Sequence, residues 1–201
     1  MKKFVYIFLY LIIAVPALSS AGEPLDDLRK GVEKGIQILE DPRYEDASLK
    51  KVQQRELWEV MLQVFDFREF SRRVVASHWK KFTPRQRDEF SMSFADFLGK
   101  FYLGRLQTRY NGQKVFYGDQ KLISKSRALV EIKVLWKNME VQVELRMKKR
   151  LDTWKVYDLS ALGINAVSNY RAQFQKLLQN NSPAQVIETV KKKILNLEED
   201  I

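Results

Sequence analysis

The sequence holds no cysteine and a single histidine in 201 residues. Disulfides, thiolate nucleophiles and Cys-based zinc or iron–sulfur sites are therefore excluded. One histidine cannot form a two-His metal site within one chain. Glycine (8) and proline (5) are too scarce for a collagen-like or low-complexity chain. No G-x-S-x-G, Walker-type glycine loop or G-x-G-x-x-G occurs, so the usual nucleophile elbow and nucleotide loops are missing. The one histidine, His78, directly follows Ser77. Sequence adjacency does not make a nucleophile–base pair, and His78 reads as a boundary residue at a helix end.

What is present is ordinary globular material, 45% hydrophobic and 30% charged. Lys and Arg total 35 against 25 Asp and Glu, a formal net charge of +10. The start has its own character. Lys2 and Lys3 precede an uncharged run from Phe4 to Leu18, and Ser19-Ser20-Ala21 follows. A positive start, an apolar stretch and small residues form the layout of a secretory signal peptide. The run is shorter than the roughly 20 residues that cross a bilayer, which disfavours the alternative of an uncleaved anchor. The expected division is a signal peptide over 1–21 and one domain over 22–201, exported to the periplasm. Cleavage removes Lys2 and Lys3 and leaves an excess of eight positive charges. With no covalent staples, the mature chain relies on its core.

Helical periodicity comes first. Leu25, Leu28, Val32, Ile36 and Leu39 predict a helix over 23–40, with Pro42 just beyond it. Leu57, Val60, Met61 and Val64 mark a second helix over 46–64. Asp66 opens a third, with Glu69 placed as a capping-box partner. Thr83-Pro84-Arg85-Gln86 is a stronger start: cap, proline in first position, and a glutamine that reaches back. From there to about Tyr110, Phe90, Phe94, Phe97 and Phe101 line one face.

The period then changes to two. Val115 to Tyr117 predicts a short strand. Ala128, Val130, Ile132, Val134 and Trp136 alternate with other side chains, and Lys137-Asn138 makes a turn. Met139, Val141, Val143, Leu145 and Met147 then alternate with polar residues, and Thr153 to Leu159 forms a fourth strand. Short connections imply an antiparallel meander with one wet face. A helix after Gly163 carries Ile164, Val167, Tyr170, Phe174, Leu177 and Leu178. A last one begins at the capping box Ser182-Pro183-Ala184-Gln185. The expected fold is α+β: a small four-stranded antiparallel sheet with helices on its apolar face.

Asp158 shares strand parity with Trp154 and Val156, so it is either buried and paired or solvated at the strand end; Arg171 is a possible partner. The basic runs are Arg72-Arg73, Lys80-Lys81, Lys148-Lys149-Arg150 and Lys191-Lys192-Lys193. An export signal argues against nucleic acid, so these runs suit anionic membranes, acidic partner proteins or plain solubility. The large apolar side chains exceed what a thin two-layer domain needs, which leaves room for a cavity.

Two blocks carry a resemblance. The first holds Trp79, Thr83, Gln86, Phe90, Phe94, Leu98, Tyr102 and Leu106. The second is Trp154-Lys155-Val156-Tyr157-Asp158, then Gly163, then Asn169-Tyr170-Arg171 and Phe174. Together they resemble the MlaC family, also called the toluene-tolerance family, the periplasmic lipid-binding components of a phospholipid ABC transport system. The chain departs from that pattern at Ile164-Asn165, where many members have Val-Ser, and at Val75-Ala76, where many have Leu-Gly.

The resemblance implies a soluble shuttle without covalent chemistry and without a cofactor. It implies a cavity between sheet and helices that holds phospholipid acyl chains, the headgroup facing solvent. The residues assigned to it are Phe94, Phe97, Leu98, Phe101, Tyr102, Tyr170 and Phe174 from helices. Val130, Ile132, Val134, Trp136, Val141, Val143 and Leu145 come from the sheet. The implied partners are an outer-membrane lipoprotein complex and an inner-membrane ABC transporter with its lipid-binding subunit. Acyl chains in water cost about 0.8 kcal/mol per methylene, on the order of 20 kcal/mol for two chains, so such a carrier needs a membrane-like interior. The alternatives are a carrier of another envelope lipid such as a hopanoid, a periplasmic enzyme using Asp158 with Tyr157 or Tyr170, and an adaptor without ligand.

Overall fold

A computed structural model describes residues 23–136 and 139–199. The expected signal peptide and the Lys137-Asn138 turn lie outside the described residues. The helices are α1 (Pro24–Leu39), α2 (Lys50–Val64), α3 (Phe67–Val75) and α4 (Pro84–Arg109). The strands β1 (Lys114–Ser124), β2 (Arg127–Trp136), β3 (Met139–Arg150), β4 (Thr153–Ala161) and β5 (Ile164–Asn165) follow. Helices α5 (Ala166–Asn180) and α6 (Pro183–Glu199) end the described chain.

The strongest start signals act as expected. Thr83 accepts from the Gln86 N–H at 3.2 Å while the Thr83 N–H donates to Gln86 Oε1 at 3.0 Å. Ser182 and Gln185 make the same exchange at the head of α6. At α3 only half of the expected box forms. Asp66 accepts from the Glu69 N–H at 2.9 Å, but the Asp66 N–H donates to the Val156 carbonyl at 2.8 Å. The Glu69 carboxylate, released from the cap, turns to cations instead.

The sheet is antiparallel in the order β1-β2-β3-β4-β5, five strands rather than the expected four. Ile164 and Asn165 were expected to begin the next helix, but they pair back onto Ala161 and Ser160. A tight turn with Leu162 at φ 51° and Gly163 at φ 76° makes that reversal, and glycine tolerates such a φ without strain. Asn165 then caps α5 by accepting from the Ser168 N–H at 2.8 Å. Strand β1 continues seven residues past Tyr117. Two residues, Gly118 and Asp119, oppose the single Glu131 between the Tyr117–Ile132 and Gln120–Val130 pairs. This bulge breaks the alternation, which is why the sequence pattern shows only the first part of the strand.

The apolar faces meet in an unexpected way. The stripe of α1 covers the sheet, with Leu28 buried among Ala128, Val130, Met147 and Val156. The phenylalanine face of α4 does not oppose the sheet. It packs against α3, α5 and α6, with Phe70, Val74, Phe174, Val186 and Val190 around it. A third cluster of Ile38, Tyr44, Leu57 and Leu103 ties α1 and α2 to α4. Phe65 packs against both main clusters and bridges to Val156 in parallel at the sheet edge. Each fully buried large apolar side chain contributes about 1.5–3 kcal/mol, so the two layers are separately stabilised.

Candidate functional site

A second bulge decides the role of Asp158. Arg146 pairs with Asp158 and Met147 with Val156, so Tyr157 is an extra residue on β4. Side chains alternate along a strand, and the extra residue moves Asp158 to the face opposite Val156. The parity shared with Trp154 and Val156 is lost there. Asp158 is buried; it accepts from Asn165 Nδ2 at 2.9 Å and from the Val167 N–H at 3.2 Å. A carboxylate there satisfies the free N–H groups and favourable dipole at the start of α5. Arg171 does not pair with it; its Nε donates to the Arg73 carbonyl at 3.0 Å. Tyr157 is buried beneath the Arg73 guanidinium, 4.1 Å from its ring centre. His78 lies half-buried in the short helical turn Ala76–Lys81.

Two of the basic runs are engaged internally. Glu69 is buried and takes Arg72 at 2.6 Å, Arg73 at 2.9 Å, Lys148 at 3.3 Å and Arg150 at 3.6 Å. Arg150 also bonds Asp66 at 2.5 Å. Burial alone would push the Glu69 carboxyl up, but the cations around it, Arg72 foremost, hold it at about 2. The cluster fastens α3 to the end of β3. In the fourth run, Lys191 bonds Glu89 at 2.7 Å and Glu188 at 3.2 Å.

The helical residues of the expected set lie together in one aromatic row. Phe94 is ringed by Phe90 (5.7 Å between ring centres), Tyr170 (5.1 Å) and Phe174 (5.0 Å). The last two are edge-to-face, a geometry worth about 0.5–1.5 kcal/mol beyond burial. From Phe94 the row continues through Phe97 (6.3 Å) to Phe101 (5.8 Å) and Tyr102 (4.9 Å). Leu98 is buried in the same cluster. Beside this row lies a cleft of about 30 Å³. Phe97, Tyr170, Phe174, Leu177 and Val190 give it apolar walls, and Gln173, Thr189 and Lys193 add polar groups. The Tyr102 and Tyr170 hydroxyls lie 3.1 Å apart next to it. Tyr170 is pushed well above the ordinary phenol range by burial and by this bond.

The sheet half lies elsewhere. Val130, Ile132 and Leu145 are buried under α1. Val134 and Val143 are half-buried against the same cluster, and Val141, also half-buried, shares their face as the partner of Val134. Trp136, 40% exposed, pairs with Met139, 62% exposed, at the end of the β2–β3 hairpin where the two strands connect. The structure thus divides most of the expected residues between two clusters, leaves Phe101, Tyr102, Trp136 and Val141 outside both, and does not form the cavity foreseen between them. Leu177, Val190, Gln173, Thr189 and Lys193 join Phe97 around the cleft, a grouping that the sequence pattern does not reveal. Leu177 and Val190 were visible as apolar stripes, and Lys193 only as part of a basic run.

An antiparallel α+β fold with an aromatic cleft in its helical layer is the class that these features define. The chain belongs to the MlaC family: residues 29–192 match the model of the MlaC protein. It is 30% identical over 109 residues to the toluene tolerance protein ttg2D of Pseudomonas putida. That match takes in 54% of this chain and 50% of the relative, so it spans half the length of the relative. The fold is shared with a phospholipid-binding protein from Ralstonia solanacearum solved with a phospholipid. The TM-score is 0.74 at 18% identity, over 88% of this chain and 99% of the other.

Proposed function

We propose that this chain is a periplasmic phospholipid carrier. It shuttles lipid between an outer-membrane lipoprotein complex and an inner-membrane ABC transporter with its lipid-binding subunit. The observation that carries this reading is the cleft with aromatic and aliphatic walls and a lysine, threonine and glutamine among them. Apolar walls suit acyl chains, and Lys193 suits an anionic headgroup. A solved neighbour of the same fold is named for phospholipid binding, and a relative for toluene tolerance.

At about 30 Å³ the cleft holds little more than one water. Loading therefore parts the helices. Acyl chains then replace the ring contacts around Phe94, so the transfer is near balance. As the space widens past Phe65, which packs against both clusters, the sheet residues Val134, Val141 and Val143 become the second wall. The lipid-binding set is thus the helical row with these half-buried strand residues, supported by Val130, Ile132, Leu145 and Trp136. ATP is hydrolysed by the transporter and not by this chain.

Mass spectrometry of organic extracts of the purified mature protein tests the reading. Stoichiometric phospholipid is the expected result. A hopanoid in its place would identify a carrier of another lipid, and an empty protein would refute the carrier.

A further inference from the structure

The aromatic row of α4 does not end in the core. Phe90 and Phe94 are buried, Phe97 and Phe101 are half-buried, and Tyr102 is 47% exposed. Leu106, one turn further, is 41% exposed. The row thus runs continuously from the interior, along a wall of the cleft, to solvent. Cations accompany its outer end. The Arg105 guanidinium lies 3.8 Å from the Phe101 ring centre, and Arg109 is exposed in the last turn. From Lys100 to Tyr110 the sequence has no acidic residue. Three carboxylates lie at the far end around Tyr110: Glu40, which accepts from the Tyr110 hydroxyl at 2.6 Å, Asp41, which is paired with Arg43 at 2.7 Å, and Glu45. The inner side of this stretch is anchored: Leu103 is buried beside Leu57, and Gln107 donates to the Lys50 carbonyl and Gln53 on α2.

Half-exposed aromatics and leucine interleaved with arginine are the composition of a surface that rests in a bilayer interface. Tyrosine suits the headgroup level, and arginine is drawn to anionic lipid. We infer that Phe101, Tyr102, Arg105, Leu106 and Arg109 form a docking surface for an anionic bilayer leaflet. The proposal rests on the carrier reading and adds a route to it. A cleft contiguous with a membrane-seated face lets an acyl chain pass between bilayer and protein without crossing water. Each methylene kept out of water avoids about 0.8 kcal/mol.

Cosedimentation of the mature protein with phosphatidylglycerol-containing vesicles, against pure phosphatidylcholine vesicles, tests the surface. Binding is expected to the anionic vesicles and to weaken with salt. Arg105→Gln should reduce it about fivefold, the effect of one cation near such a surface. Leu106→Asp should reduce it further. Both variants should keep the wild-type circular dichroism and the wild-type amount of co-purified lipid, because neither side chain lines the cleft. Equal binding to both vesicle types, no binding to either, or wild-type binding by Arg105→Gln would overturn the surface. An empty wild-type protein that still binds anionic vesicles would instead overturn the carrier and support the surface.

Discussion

The phenolic oxygens of Tyr102 and Tyr170 lie 3.1 Å apart and tie α4 to α5 beside the cleft. One of the two is half-exposed and the other is 9% exposed, so the bond joins the solvent edge of the aromatic row to its interior. Tyr170 lines the cleft itself. The loading proposed above, which parts these helices, requires this contact to break.

Tyr102→Phe removes the bond while keeping the ring. The buried Tyr170 hydroxyl then loses its partner, and stability should fall by about 1 kcal/mol, read as a lower urea midpoint. The looser tie should also speed lipid exchange between loaded protein and acceptor vesicles. An unchanged exchange rate would show that the tyrosine pair does not restrain opening. The raised Tyr170 adds a pH signature. In the unfolded chain it ionises near pH 10, and the folded state resists that. Its contribution is therefore complete below pH 10 and is lost as pH rises above it.

The Glu69 cluster should govern acid stability. The carboxyl sits at about 2 when folded, against an ordinary value of 4.5. The unfolded state therefore binds the proton more readily, and stability is complete above pH 4.5 and lost as pH falls toward 2. The contribution is on the order of 2 to 3 kcal/mol, since water reaches Arg72 and Arg150 and weakens their pull. Glu69→Gln should flatten this part of the stability curve and lower stability at neutral pH. Urea titrations between pH 2 and 7 that superimpose for both proteins would contradict the assignment.

Val143 and Gln142 face opposite sides of β3, the first half-buried on the α1 side and the second exposed. Val143→Glu places a carboxylate on the proposed second wall, where an unpaired charge is costly. It should lose co-purified lipid, as should Leu177→Glu in the helical cleft, while Gln142→Glu keeps it. Circular dichroism separates lipid loss from unfolding. A folded Val143→Glu that retains lipid, beside a Leu177→Glu that does not, would confine the chains to the helical cleft.

Processing has its own check. The short, cleanly bounded apolar run should be cleaved after Ala21, so N-terminal sequencing of periplasmic protein should begin at Gly22. Met1 in a membrane fraction would show an anchor instead.

Local chemistry was readable without the fold. The boxes at Thr83 and Ser182 involve atoms three residues apart, and the alternation from Met139 to Met147 follows from strand geometry alone. The apolar faces of α1, α2, α4 and β3 were equally visible, because periodicity marks which side is buried. What periodicity does not carry is the identity of the partner. The phenylalanine row of α4 was legible, yet only the tertiary structure set it against α3, α5 and α6 and gave the sheet to α1. Insertions of one residue had the same effect. The bulge at Tyr157 turned Asp158 from the apolar face to the cap of α5, and nothing local to β4 marks it. Glu69 shows the limit most simply: it stood in position for a cap, and Arg72 and Arg73 on its own helix take its carboxylate, but so do Lys148 and Arg150, brought in from 79 and 81 residues away. Packing alone decides such pairings, since a buried charge takes the partners that the fold brings within reach.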